Sequence, residues 1–106
     1  MVVANAETHA VARSFDLTAI AGSALPLGWC RGIHVLARDD VLVGFSRLRL
    51  TRFKDNLRWV VNRARGLETR SLPTRVARFD LAAGRLVAEW DVEAAGLNAI
   101  FSIHPV

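Results

Sequence analysis

Cysteine is nearly missing from the chain, since Cys30 is the only one among 106 residues. A single thiol excludes an internal disulfide and any thiolate zinc cluster within one chain. Long apolar runs are missing as well, and no stretch approaches the roughly 20 apolar residues that a spanning helix needs. The amino-terminal run MVVANAETHAVARSFD also lacks the basic region that begins a signal peptide. We therefore expect a cytoplasmic protein with no membrane partner.

Lysine is equally scarce, because Lys54 stands beside thirteen arginines and ten carboxylates, giving a net charge of +4. A positive charge raises the question of nucleic acid as a partner. The arginines, however, are spread from Arg13 to Arg85 and often alternate with apolar residues, whereas a phosphate-tracking surface usually shows clustered cations. The pattern favours solvated or ion-paired arginines and no nucleic-acid partner.

Complete catalytic motifs are absent too. The sequence contains no glycine-rich phosphate loop, dinucleotide fingerprint, paired-acid motif or zinc signature. The residues around Ser46 do not form the Gly-x-Ser-x-Gly elbow, the motif that exposes the nucleophilic serine of many hydrolases. The three histidines, His9, His34 and His104, share no spacing typical of metal ligation. We expect neither a metal nor a cofactor.

Two β-hairpins are the clearest positive signals. Residues 28–50 give two apolar runs separated by Arg38-Asp39-Asp40, with a bulge or twist expected at 44–46, where the parity of the apolar residues changes. Residues 75–92 alternate on both sides of a turn that contains Gly84. Further strands are predicted at 9–18 and 98–106, with a connection between 19 and 27.

The period changes to that of a helix after Phe53, because Leu57, Val60, Val61 and Ala64 fall at i, i+3, i+4 and i+7. Gly66 ends the pattern, so one short inserted helix is predicted near 54–65. The prediction is a single domain, residues 1–106, mostly β, with antiparallel sheets resembling about two propeller blades. The predicted core comprises Ile33, Val35, Val41, Val43, Phe45, Phe79, Leu86, Trp90, Ile100 and Ile103.

A faint repeat supports this architecture, since AVARSFDLTA at 10–19 resembles RVARFDLAAG at 75–84, and each is followed by an Ile-His pair. The Trp-x-Arg-Gly entry at 29–32, the Val-Gly-x-Ser-x-x-Arg run at 43–49 and the Phe-Asp-Leu-x-x-Gly turn at 79–84 resemble the carboxy-terminal blades of a family of uncharacterised bacterial β-propeller proteins. The resemblance implies a fold and no established activity. A closed propeller needs at least four blades, so the chain is either a fragment of a larger propeller or a unit that associates.

Arginines at one end of the first hairpin are candidates for an anion site. Arg31, Arg47 and Arg49 can form a fork for a small carboxylate or phosphate, because guanidinium groups bind such anions in a bidentate way. Ion pairing with Asp39, Asp40 or the acids of the second hairpin is the alternative.

The two Ile-His pairs give the other candidate ligand-binding residues, His34 and His104. If the repeat is real, these histidines occupy like positions facing a common axis. The alternative is that each caps a strand end or bonds to a backbone carbonyl.

These residues lead to two hypotheses for function. The first is a non-catalytic binding or assembly module of β-propeller type, acting as a homo-oligomer or with the remainder of a larger propeller. Its contact would be the strand at 99–103 or a face of the 75–92 hairpin. The second is an enzyme whose site lies at the sheet axis and uses His34 and His104 with Arg31 or Arg47.

Overall fold

A computed structural model describes residues 1–48 and 71–106, and it contains six strands and one short helix within those ranges. The mostly β class with antiparallel sheets is therefore confirmed. The helix predicted near 54–65 lies outside the described residues. The elements are β1 (Val2–Ala4), β2 (Val11–Ser14), α1 (Leu17–Ala21), β3 (Trp29–Ala37), β4 (Asp40–Ser46), β5 (Arg75–Asp80) and β6 (Arg85–Asp91).

Both predicted hairpins exist and join in one sheet. The strands of this sheet follow the order β3-β4-β5-β6, all neighbours being antiparallel, while β1 and β2 form a separate pair. The turn between β5 and β6 contains Gly84 at a φ of 64°, which is the left-handed conformation that glycine adopts at no steric cost. The first hairpin turns at Arg38 and Asp39, as the break in its apolar pattern predicts.

The alternation of side chains along β4 and β5 separates the four-stranded sheet into two different faces. Val41 pairs with Phe79 and Val43 with Ala77, and these four side chains are buried. They pack with Leu17 of α1, so we call this side the helix face. Leu42 pairs with Arg78 and Gly44 with Val76 on the opposite side. Residues 98–103 cross that side, so we call them the C-terminal strap and the side itself the strap face.

Helix α1 replaces the end of the strand predicted at 9–18. Asp16 caps the helix, because its carboxylate accepts from the backbone amides of Thr18 and Ala19 at 3.0 and 3.1 Å. Gly22 ends it at a φ of 62°. The predicted strand is therefore right only over Val11–Ser14. The local capping signal outweighs the short alternation that favoured an extended chain.

The prediction of the core is right for the central strands and wrong for the edge strand β3 and for Trp90 on the strap face. Val41, Val43, Phe45, Phe79 and Ile100 are buried, and Leu86 and Ile103 are partly buried. Ile33 and Val35 lie on the helix face but are 47% and 60% exposed, because β3 is an edge strand that α1 does not cover. Trp90 pairs with Val76 on the strap face and is 50% exposed. The buried hydrophobic residues that were not predicted are Leu17, Leu27, Ala77 and Leu81.

The strand predicted at 98–106 is wrong, since the described chain forms no ladder there. Side-chain hydroxyls hold the strap instead. Thr74 Oγ1 donates to the carbonyl of Asn98 at 3.0 Å. Ser46 Oγ accepts from the amide of Ile100 at 2.9 Å and donates to its carbonyl at 3.2 Å. The strap thus runs across the strands from β5 towards β3, rather than alongside an edge.

Two glycines make room for the strap. A Cβ on Gly44 would lie 2.7 Å from Cγ2 of Ile100 and would also clash with the carbonyl oxygen of Arg31. A Cβ on Gly32 would lie 2.9 Å from the amide nitrogen of Ile103. The register between β3 and β4 shifts between Cys30 and Ile33, so the predicted bulge lies on the strand opposite Gly44.

Arg75 fastens the helix face to the loop before β3. Its side chain is 5% exposed, and its Nε donates to Glu89 at 2.9 Å. One Nη donates to the carbonyls of Leu27 at 2.8 Å and Pro73 at 3.2 Å. The guanidinium carbon lies 5.0 Å from the centre of the Phe45 ring. Arg75 therefore satisfies two loop carbonyls and covers an aromatic ring of the core.

The sequence predicts no helix that spans a membrane. Within the parts of the chain that the structure describes, no helix has the length and apolar character required to cross a membrane.

We predict that Gly44→Ala loosens the strap, because the added methyl group overlaps Ile100 and a backbone carbonyl. Native-state hydrogen exchange should show a faster Ile100 amide, together with a loss of about 1–3 kcal/mol in the free energy of unfolding. Gly84→Ala is the matched control, because its Cβ meets nothing within 4 Å and its strain lies in the β5–β6 turn. Equal exchange at Ile100 in the two variants would contradict the role of Gly44.

We also predict that Arg75→Met lowers the free energy of unfolding by about 2–4 kcal/mol, since two carbonyls and Glu89 lose their partner. Urea denaturation measures the loss. Arg31→Met is the control, because Arg31 is exposed and should change stability by less than about 0.5 kcal/mol. A small loss in both variants would show that Arg75 is dispensable.

Candidate functional site

The candidate arginines come to one end of the first hairpin, as antiparallel pairing requires. Trp29 of β3 pairs with Ser46 of β4, so Arg31 near the start of one strand and Arg47 just after the other lie towards the same end of the hairpin. Arg49 lies outside the described residues. The structure therefore tests the surroundings of two of the three arginines in the predicted fork.

Arg47 is engaged by groups of the protein. Its Nε lies 3.1 and 3.0 Å from the two carboxylate oxygens of Glu93, and an Nη lies 3.0 Å from Oε1 of the same residue. Its other Nη donates to the carbonyl and the hydroxyl of Ser71 at 3.2 and 2.9 Å. Most of the donors of this guanidinium group are thus occupied.

Glu93 links the arginine to β5. Its Oε2 accepts from the backbone amide of Thr74 at 2.8 Å, in addition to the contact with Arg47. The hydrogen bond from Arg47 and then that from the Thr74 amide lower the pKa of the Glu93 carboxyl below its usual value. Glu93 follows the second hairpin directly, and ion pairing with acids of that hairpin is the alternative to a ligand fork that the sequence predicts.

Arg31 differs from Arg47, since its side chain is exposed and has no ion-pair partner within the described residues. It occupies the bulge of β3, where its carbonyl faces Gly44. The structure separates the two arginines in role: one holds the strand ends together, and the other is free to meet solvent or a ligand.

The strap brings the two candidate histidines towards one region of the strap face. It passes over Gly32, and a Cβ on Gly32 would lie 2.9 Å from the amide nitrogen of Ile103. His34 is two residues beyond Gly32 and pairs with Leu42, and His104 follows Ile103 directly. Residues 1–48 and 71–106 include no group of three or more side chains able to hold a metal ion. Ligand binding by His34 and His104 stays a prediction.

A second charged region lies at the other end of the sheet, where sequence reasoning saw only a turn. We call it the turn pocket. It has a volume of about 330 Å³, and β4–β5 pairing places Asp40 opposite Asp80 within it. Arg78 neutralises Asp40 through contacts of 2.9 and 2.6 Å, and the pKa of Asp40 is lowered mainly by the hydrogen bond from Arg78. The lining residues are Ala37, Arg38, Asp39, Asp40, Arg78, Asp80, Arg85 and Val87.

An apolar groove of about 540 Å³ lies on the helix side of β3. Phe15, Leu17, Leu27, Ile33 and Phe45 are among its lining residues. Cys30 lies at its margin, and burial is the main effect that raises the pKa of this thiol. A raised pKa keeps the thiol protonated and therefore less nucleophilic, although the residue is exposed to solvent.

Comparison of the chain with protein-family models, curated proteins and solved structures gave no match in any of the three. The resemblance to propeller blades is therefore carried by the sequence motifs alone.

We predict that Arg47→Ala lowers the stability of the unliganded protein by about 1–2 kcal/mol. The change breaks the half-buried ion pair with Glu93 and the hydrogen bonds to Ser71. Glu93 has a lower pKa in the folded chain than in the unfolded one. Its contribution is therefore present above the unfolded pKa and is lost as pH falls below about 5 towards the folded value.

Urea denaturation at several pH values measures this contribution. Glu93→Gln should flatten the loss of stability in the acidic range, whereas Glu7→Gln, an exposed carboxyl near the amino terminus, should leave the profile unchanged. An unliganded stability of Arg47→Ala equal to that of the wild type would instead support the ligand fork.

Proposed function

We propose that the protein is a non-catalytic assembly module of β-propeller type, which packs its strap face against a second sheet in the cytoplasm. The observation that carries the proposal is the set of large apolar side chains left exposed on that side. Trp90 is 50%, Phe101 is 82% and Val87 is 44% exposed, and we call these three side chains the apolar patch. Large exposed apolar patches are typical of contact surfaces.

The architecture supports packing by faces. A four-stranded antiparallel sheet in which successive strands are neighbours is the unit from which propeller blades are built. In such an assembly each sheet buries its faces on adjacent sheets. The strap covers only the part of its face that lies over β3, β4 and the start of β5, since its contacts reach Gly32, Ser46 and Thr74. The side chains of β6 remain available.

The edges are less suited to association than the face. The register of β3 shifts between Cys30 and Ile33 and again between Val35 and Ala37. On the other edge, the register between β5 and β6 shifts at Arg78 and Phe79, which leaves Val87 unpaired. Bulges twist an edge and interrupt its row of hydrogen-bonding groups, so they discourage pairing with another strand.

The occupant to which the proposal commits is a second copy of the chain. An aromatic side chain presents about 150–250 Å², so the exposed parts of the apolar patch amount to about 350 Å². This is roughly half of the 800 Å² or so that one partner contributes to a standard interface. Polar residues around the patch can supply the remainder, as they do at the rims of such interfaces.

We predict that light scattering of the purified protein gives a concentration-dependent mass above the 11.7 kDa of one chain. Trp90→Ser together with Phe101→Ser should return the mass to that of the monomer, because both side chains are exposed and their removal leaves the core intact. Val35→Ser is the matched control, since Val35 is 60% exposed on the helix face.

A mass of one chain at every concentration would overturn self-association. If Val35→Ser dissociated the protein to the same degree, the contact would not be specific to the strap face. Circular dichroism of each variant verifies that the sheet has formed before the masses are compared.

A further inference from the structure

We propose that the turn pocket binds a small anion, carrying a carboxylate or phosphate group, through Arg38 and Arg85. The pocket opens at the end of the strap face away from Trp29, where Ala37, Asp40, Asp80 and Arg85 line up across the four strands. Arg38 therefore approaches from the β3 side and Arg85 from the β6 side. Two guanidinium groups that flank one cavity are a common means of binding an anion.

The pairing of the other arginines singles these two out. Within residues 1–48 and 71–106, four arginines form ion pairs with carboxylates of the protein, namely Arg13, Arg47, Arg75 and Arg78. The three without such a pair are Arg31, Arg38 and Arg85, and two of them line the turn pocket. Uncommitted positive charge is thus concentrated at this cavity.

Two of the three acids of the pocket form ion pairs with arginines. Asp40 is held by Arg78, which also lines the pocket. Asp39 contacts Arg13 of β2 at 2.7 Å. Asp80 accepts from the backbone amide of Ala83 at 2.9 Å through one oxygen, which leaves its second oxygen uncommitted. Asp80 keeps its negative charge, since a backbone amide is neutral. With Asp39 and Asp40 each paired to an arginine, Arg38 and Arg85 together exceed Asp80 by one positive charge.

The size and surroundings limit the ligand. A cavity of about 330 Å³ lies at the lower end of the range for small-molecule sites, so it suits a ligand of few heavy atoms. Val87 and Ala37 supply the apolar part of the lining. The free oxygen of Asp80 favours a ligand that carries a hydroxyl group beside its anionic group, since that oxygen can accept a hydrogen bond.

The turn pocket shares Val87 with the apolar patch of the assembly proposal, but Arg38 and Arg85, on which anion binding depends, are not part of that patch. Isothermal titration calorimetry of the full chain, at a concentration where light scattering shows one molecular mass, tests it. The probes are malate for the carboxylate class and inorganic phosphate for the phosphate class, with chloride at matched ionic strength as the reference.

The expected result is saturable binding of one probe to the wild type, weakened about tenfold or more in Arg38→Gln and in Arg85→Gln, since each variant removes charged hydrogen bonds. Ala6→Glu is the matched control, because it lowers the net charge by the same single unit at an exposed position outside the pocket and should leave binding unchanged. Preference for malate or for phosphate assigns the class of anion.

Three outcomes would overturn the proposal. The first is no saturable heat with either probe. The second is equal weakening by Ala6→Glu, which would mean attraction by net charge alone. The third is a loss of unliganded stability in Arg85→Gln with no change in affinity, which would assign Arg85 to an ion pair with Asp80, its partner across the β5–β6 turn.

Discussion

The pairing of β4 with β5 is the contact on which the rest of the structure depends. These strands belong to different hairpins and are separated by residues 47–74 of the chain, yet their register runs without interruption from Asp40 and Asp80 to Phe45 and Arg75. It buries Val43, Ala77 and Phe79 on one side, with the rings of Phe45 and Phe79 edge to face at 6.3 Å. The same register places Gly44, Ser46 and the pair of Asp40 and Asp80 on the strap face.

Local patterns predicted the parts of the fold that depend on local chemistry. Alternation identified both hairpins, and Gly84 marked the second turn, because side-chain period and backbone freedom are properties of a few residues. The capping pair of Asp16 and Gly22 was equally local and could have revealed α1. The extent of burial is a different matter, since Ile33 and Val41 look alike in sequence. Only strand order decides that one lies at an edge and the other at the centre.

The candidate site was predictable to a similar extent. Antiparallel pairing alone placed Arg31 and Arg47 at one end of the hairpin. What engages Arg47 is Glu93, 46 residues away in the chain, and no local pattern could fix that contact. The turn pocket was out of reach for the same reason, because Asp40 and Asp80 meet only through pairing between the two hairpins.

The way the C-terminal strap is attached has a consequence for how the molecule opens. A strand in a β-ladder is held by hydrogen bonds from many backbone groups. Here the hydroxyls of Ser46 and Thr74 make the hydrogen bonds to Asn98 and Ile100. Water can replace a hydroxyl without disturbing β4 or β5, whose own backbone groups are paired with each other. We therefore expect release of the strap to be a local event, separate from unfolding of the sheet, which exposes the backbone at Gly32 and Gly44 and the buried side chain of Ile100.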